Sequence, residues 1–186
     1  MALLLGPMGV YIWPRVGYLL FELKPKNEPG KSRQMNSISP VRTKLSRAIV
    51  IGGAIAGTLD KLSGFVSFGL RSPQGIAAGL LGRSAAFQGG ARTWILGMLL
   101  HFFIAFTVAA IYCLASRRLA FLADHWIVCG LFYGIAVFLV MNLVVLPLSA
   151  LHLTGPYQLG GLLQGLLGHM VMVGLPISFS LHKFAR

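Results

Sequence analysis

Charged residues are scarce in this chain, and acidic residues are the scarcest of them. Charged side chains make up 11% of the 186 residues, whereas about a quarter of the residues in a typical soluble domain are charged. Four acidic residues stand against sixteen Lys and Arg, and 56% of the residues are hydrophobic. This composition leaves too few polar side chains to cover a surface in water, so we expect lipid around most of the chain.

Motifs of the common enzyme classes are also missing. The sequence contains no HExxH zinc motif, no GxxxxGK phosphate loop and no recognised spacing of nucleophile, histidine and acid. Its two cysteines, Cys113 and Cys129, lie in apolar runs without metal-ligand spacing. We therefore predict no enzymatic activity, no catalytic residues, no metal site and no cofactor.

The net charge of +12 suggests two kinds of partner, nucleic acid or a membrane surface. The basic residues flank apolar runs, as the charges that orient membrane proteins do. We therefore predict a lipid bilayer as the partner and no nucleic acid.

Four apolar runs are long enough to cross a bilayer, which takes about 20 helical residues. They are residues 48–68, 94–116, 126–148 and 159–181. The predicted fold is all-α: a polytopic membrane protein with a four-helix transmembrane bundle in residues 47–186. Glycines at four-residue spacing favour close helix packing in lipid. These pairs are Gly53 with Gly57, Gly130 with Gly134, and Gly161 with Gly165.

The segment between the first two runs is too short to cross a membrane. Its apolar core runs from Ile76 to Phe87 and is bracketed by Gly75, Gly89 and Gly90. Because it is also too apolar for a free loop, we predict one short interfacial or re-entrant helix here.

Residues 1–46 differ in composition from the rest of the chain. Residues 22–47 hold seven basic and two acidic residues with three prolines, a composition typical of a disordered basic arm. We predict a basic, poorly ordered N-terminal extension. Because the sequence from Met35 onward would itself serve as an ordinary start of a membrane protein, we expect residues 1–34 to be a mis-assigned or dispensable part of it.

The distribution of basic residues predicts the orientation. With the N-terminus inside, eleven Lys and Arg flank the runs on the inner side and three, Arg71, Arg83 and Arg92, on the outer side. The positive-inside rule then places both termini in the cytosol.

A few polar side chains lie inside the apolar runs, and their predicted depths coincide. At about 1.5 Å per residue, Asp60, His101, Asn142 and His169 all lie roughly 9 to 15 Å below the outer face, one from each run. Lys61 shares this level but points about 100° away from Asp60 around the helix. Arg83 in the outer segment is a candidate second cation reaching down to this layer.

Three interpretations of this polar layer remain open. The first is a non-enzymatic accessory or structural bundle, with a partner membrane protein or a second copy, in which the polar side chains form interhelical hydrogen bonds. The second is a carrier or pore for a proton or small solute, with Asp60 as acceptor, His101 and His169 as proton carriers and Asn142 orienting a water or solute. The third is a b-type haem between the two histidines.

Four short stretches carry a resemblance to a known group. AGTLDKLSGF, GIAAGLLGRSAAFQGG, MNLVVLPLSA and HMVMVGLPI are similar to segments of small uncharacterised bacterial integral membrane proteins, loosely of the YagU inner-membrane type. The resemblance spans residues 47–183. It implies a helical bundle in a bacterial cytoplasmic membrane and carries no activity or site residue with it.

Overall fold

A computed structural model describes residues 40–153 and 158–184, with side chains described from Lys44 onward. The N-terminal extension was predicted to be poorly ordered. Its residues 1–39 lie outside the described part of the chain. Residues 40–46, which the sequence analysis placed in the extension, belong to the first long helix.

Helices account for most of the described residues, and no strand occurs among them. In chain order they are α1 (Pro40–Phe68), α2 (Ser72–Leu81), α3 (Arg83–Gln88), α4 (Gly90–Ala115), α5 (Phe121–Asp124), α6 (Trp126–Leu148) and α7 (Leu159–Phe184). Helices α1, α4, α6 and α7 are long and apolar enough to cross a membrane. The prediction of an all-helical chain with four such helices is confirmed, and it suggests a multi-pass membrane protein.

The outward surface of the long helices is apolar. Between 17% and 28% of the most apolar part of each long helix is buried inside the protein. Val66, Phe68, Leu99 and Phe103 are each at least 65% exposed. Helices that are apolar on all sides are typical of chains surrounded by lipid, because in water this surface would drive aggregation.

The long helices meet in a core at one end, which we call the base. Its buried side chains come from α1, α4 and α7, with partly buried side chains of α5 and α6 packed against them. The buried set comprises Ala48, Ala56, Ala109, Tyr112, Cys113, Val173, Ile177 and Leu181. The hydroxyl of Tyr112 donates to the Leu122 carbonyl at 3.0 Å, and the His182 ring donates to the Ala123 carbonyl at 2.8 Å. The base is therefore both packed and tied by hydrogen bonds.

Glycines allow α6 and α7 to touch backbone to backbone near the base. A Cβ added to Gly174 would collide with the Gly130 carbonyl and the Gly134 nitrogen. A Cβ on Gly134 would lie 2.5 Å from the His169 carbonyl oxygen and from Met170 Cα. No side chain fits into this interface, so the close approach depends on glycine.

The predicted glycine pairs differ in what they contact. Gly53 and Gly57 on α1 face the aromatic rings of Phe106 and Phe102 on α4, and Gly130 and Gly134 face α7. Gly161 has no atom within 4 Å of where its Cβ would be. Two pairs lie in helix contacts, whereas Gly161 borders open space.

The helices α2 and α3 lie at the opposite end of the bundle, and we call them the cap. A single helix was predicted over Ile76–Phe87, and the structure differs from this prediction. Two helices, α2 and α3, occupy this segment, separated by Gly82 with φ +81°. An L side chain rarely adopts that conformation, whereas glycine adopts it without strain, so the chain turns at Gly82 instead of continuing the helix.

Hydrogen bonds hold the cap against α4 and the chain that follows α6. Thr93 Oγ1 donates to the Ala86 carbonyl at 2.6 Å, and the Trp94 indole donates to the Leu70 carbonyl at 2.9 Å. The Ala150 nitrogen donates to the Gly79 carbonyl at 2.8 Å. Trp94 therefore fixes the turn between α1 and α2.

Both α6 and α7 contain a π-helical segment just before a Leu-Pro pair. In α6 the segment is Met141–Val145, before Pro147, and in α7 it is His169–Gly174, before Pro176. Proline lacks the N–H that would bond four residues back, and its ring clashes with that carbonyl. Widening the preceding turn relieves the clash, which accounts for π segments at these two places.

The glycine contact between α6 and α7 predicts how two matched substitutions in α7 differ. Gly174→Ala places a methyl group into the backbone of α6 and should destabilise the protein by about 1–3 kcal/mol. Gly168→Ala, with no atom within 4 Å of its Cβ, should leave stability unchanged or raise it by up to about 1 kcal/mol. Thermal unfolding of both variants in one detergent measures the difference, and equal melting temperatures would contradict the packing described here.

Candidate functional site

A cavity of about 450 Å³ lies between the base and the cap. All four long helices contribute to its wall, and Ile76 of the cap helix α2 borders it. Apolar side chains and glycines form most of the lining, from Ala56, Ile104 and Val173 to Phe138 and Leu146. We call this space the apolar chamber.

The four polar residues predicted to share a level all line the apolar chamber. Asp60 comes from α1, His101 from α4, Asn142 from α6 and His169 from α7. The four residues for which helix rise predicts a common depth therefore line the same cavity. Asn142 and His169 each lie in one of the two π-helical segments, a local structure that is frequent at functional sites.

His101 is the most firmly held member of this group. It is 9% exposed, and its Nε2 lies 2.8 Å from the Gly57 carbonyl oxygen on α1. A carbonyl oxygen only accepts hydrogen bonds, so Nε2 carries a hydrogen and Nδ1 is the remaining nitrogen. Nδ1 faces Asp60 Oδ2 at 4.0 Å, within reach of an ion pair and too long for a direct hydrogen bond.

The geometry of His101 and Asp60 favours a positive charge between them. In a neutral imidazole with hydrogen on Nε2, the Nδ1 lone pair points towards the carboxylate, and two electron-rich atoms face each other. A proton on either group, or a cation beside both, removes this repulsion. A proton or a cation is thus the kind of group that this pair would accept.

His169 and Asn142 are oriented by their own helices. His169 Nδ1 donates to the Gly165 carbonyl at 2.8 Å, which leaves Nε2 as the nitrogen that can accept or carry a second proton. Its ring packs edge-on against Phe138 with centroids 5.6 Å apart. The Asn142 amide donates to the Phe138 carbonyl at 2.9 Å. Phe138 therefore positions both polar side chains from the α6 side.

A second cavity of about 370 Å³ adjoins the apolar chamber. We call it the polar chamber, because Lys61, Ser63, Ser67, Ser72 and Gln164 line it. Asp60, His101 and His169 line both chambers. The full shared set is Asp60, Phe68, Ile76, His101, Gly161, Gly165 and His169.

Lys61 and Arg83 have different positions relative to this junction. Lys61 is 5% exposed and lines the polar chamber, away from the apolar one, as expected from its rotation of about 100° around the helix from Asp60. Arg83 lies at the start of α3, is exposed, and borders neither chamber. The structure does not bring Arg83 to the polar layer, because the chain turns at Gly82 just before it.

Several residues of the polar chamber were not predicted from the sequence. Ser63 and Ser67 follow Asp60 at spacings of three and seven, which place all three on one helical face. Gln164, a polar residue within an apolar run, donates to Ser67 Oγ at 2.9 Å across the chamber. Both signals were present in the sequence, but serine inside membrane helices is too common to single out a site.

The chambers combine an apolar space with one carboxylate, two imidazoles and one ammonium group. Within residues 40–153 and 158–184, no group of three His, Cys, Asp or Glu is arranged to hold a metal ion. The arrangement suits transfer of a proton among Asp60, His101 and His169, or binding of a small solute with an apolar body.

Solvent access to the apolar chamber can be tested with two neighbouring cysteines on α6. Met141 lines the chamber, whereas Val140 lies outside its wall and is 52% exposed on the outer surface. In a Cys113→Ser, Cys129→Ser background in liposomes, Met141→Cys should react with a charged, membrane-impermeant methanethiosulfonate. Val140→Cys should react about tenfold more slowly, because reaction needs the thiolate and hydrocarbon disfavours it. Equal rates would show that the chamber holds no water.

Searches of protein-family models, of curated proteins and of solved structures found no significant match to the chain.

Proposed function

We propose that this chain is a multi-pass protein of a bacterial cytoplasmic membrane that carries a proton or a small solute through its apolar chamber. Asp60 is the proton or cation acceptor, His101 and His169 are proton carriers, and Asn142 orients a water or solute. The observation that carries the proposal is that these four residues, one from each long helix, line a single cavity with otherwise mostly apolar walls.

The cost of polar groups in a membrane supports a functional role for this cluster. A carboxylate inside a membrane helix is expensive unless it is paired or lines a cavity. Asp60 does both, since it faces His101 and borders the two chambers. Asp60 at this junction is one of four acidic residues in the whole chain.

The structural interpretation accounts for part of the layer. His101 bonds to Gly57 on another helix, as interhelical stabilisation requires. The ring hydrogen bond of His169 returns to its own helix at Gly165, so an interhelical hydrogen bond does not explain its place on the chamber wall. This difference favours the carrier over an accessory or structural bundle.

A haem between the two histidines is not part of the proposal. Both imidazoles would have to point a nitrogen at one iron. His101 commits Nε2 to Gly57 and directs Nδ1 at Asp60.

The proposed topology places both termini in the cytosol and the cap outside. Basic residues are concentrated on the side of the base, at the start of α1, after α4 and at the end of α7. The cap helices α2 and α3 form the proposed outer cover, packed on α4 as an interfacial structure. Because four helices make a thin wall, we propose that the carrier works as an oligomer or with a partner membrane protein.

Reporter fusions test this topology. Alkaline phosphatase, which is active only outside the cytoplasmic membrane, should be inactive when fused after Arg186 and active when fused after Gln88. A green fluorescent protein fused after Arg186 should fluoresce. Phosphatase activity at the C-terminal fusion would overturn the orientation.

Proton flux tests the carrier itself. Liposomes containing the protein and a trapped pH dye should take up protons under an imposed potential faster than protein-free liposomes. Asp60→Asn and His101→Gln should lower the rate by about tenfold or more, because each removes a positioned proton site. If the polar layer were only structural, the same variants would shift stability by about 0.6 kcal/mol and the wild type would show no flux.

Matched control variants lie outside the chambers. Asp124→Asn and His125→Gln make the same chemical changes at exposed positions near the base, and neither residue borders either chamber. Both should retain the wild-type rate. Loss of flux in these controls would indicate a general effect of charge on the protein.

A further inference from the structure

Two opposite charges stand side by side on α1 without pairing to each other. Asp60 and Lys61 are consecutive, so their side chains leave the helix about 100° apart. Asp60 faces His101 at 4.0 Å. In the part of the chain that the structure describes, no carboxylate lies within 4.0 Å of the Lys61 ammonium.

Lys61 is buried and directed into the polar chamber. It is 5% exposed, and its Nζ lies 5.6 Å from the centroid of the Phe65 ring. A cation over an aromatic face is partly stabilised, but an ammonium group on a mostly buried side chain, with no described carboxylate within 4.0 Å, still carries a desolvation cost. An anion in the polar chamber would offset this cost.

A second unsatisfied group lies beside the same place. Ser72 Oγ is buried and has no hydrogen-bond partner among the described residues. It lies 3.8 Å from the point where a Gly64 Cβ would be, and Lys61 Nζ lies 3.8 Å from that same point. An anion seated over Gly64 therefore has an ammonium and a hydroxyl donor within reach.

From this geometry we infer that the solute is a small zwitterion with an apolar side chain, of the α-amino acid class. Its ammonium group binds at Asp60 and His101, its carboxylate binds at Lys61 and Ser72, and its side chain enters the apolar chamber. This inference rests on the proposed carrier function and names the substrate class of the same site.

Simpler ligands leave part of the site unbalanced. A cation alone satisfies Asp60 and leaves Lys61 without a counter-charge, and an anion alone does the reverse. A zwitterion satisfies both, and it arrives without net charge, which lowers the cost of moving it from water into an apolar protein interior. The apolar chamber of about 450 Å³ is within the size range of small-molecule sites.

Three probes with the same isobutyl group separate the two charged subsites. L-leucine carries both charges, isoamylamine carries only the ammonium group, and 4-methylpentanoate carries only the carboxylate. Binding to the full chain in lipid nanodiscs, followed by isothermal titration calorimetry, should favour leucine over each single-charge probe by about tenfold or more.

Substitutions should then remove one subsite at a time. Lys61→Met should weaken leucine binding about tenfold or more without weakening isoamylamine binding, and Asp60→Asn should weaken isoamylamine binding. Gly64→Val places a side chain where the carboxylate sits and should act like Lys61→Met. The matched control is Lys183→Met, which removes a lysine that also lies over an aromatic ring, at 5.7 Å from Phe179, outside both chambers.

Failure of this inference differs from failure of the carrier. If leucine binds no better than isoamylamine, or if Lys61→Met and Gly64→Val bind leucine like the wild type, the zwitterion site is wrong. The proton-flux measurement still decides the carrier in that case. Leucine binding that is lost in Lys61→Met and in Gly64→Val but kept in Lys183→Met supports the assignment. If Lys61→Met fails to fold, Gly64→Val decides, because the atoms nearest to its Cβ are the side-chain ends of Lys61 and Ser72 at 3.8 Å and no backbone atom is among them.

Discussion

The close approach of α6 and α7 at Gly130, Gly134 and Gly174 is the constraint on which the chambers depend. Backbone contact at these glycines fixes the two helices near the base. In hydrocarbon, apolar side chains gain little from burial against each other, so such close contacts supply much of the attraction between helices. With the helices fixed there, the space between base and cap remains open instead of collapsing.

The two prolines extend this constraint to the polar side chains. Pro147 and Pro176 each follow a π-helical segment, and those segments hold Asn142 and His169. A widened turn changes the direction of the side chains relative to a regular helix. The residues that shape the helices thus also direct polar groups towards one cavity. Phe138 contacts both groups, Asn142 through its backbone carbonyl and His169 through its ring.

The distribution of charge around the junction follows from the α1 helix. Consecutive residues on a helix point in different directions, so Asp60 borders both chambers while Lys61 borders only the polar one. The carboxylate has an imidazole partner on α4, and the ammonium group faces a serine-lined space. Separate environments for the two charges are what distinguish this junction from an ordinary buried ion pair.

The sequence alone determined the four long helices, and it singled out Asp60, His101, Asn142 and His169 by a predicted common depth. Apolar run length and helix rise are local properties, so they need no knowledge of neighbours. Tertiary structure decided which way the side chains face, which glycines meet a backbone, and that Gly161 borders a cavity. It also replaced the single predicted cap helix by two and moved Arg83 away from the polar layer. Side-chain facing and glycine contacts depend on residues far apart in the chain, and spacing within one segment cannot specify them. The break of the cap helix is a local turn at Gly82, but several glycines of this segment could have supplied it, and only the structure shows which one does.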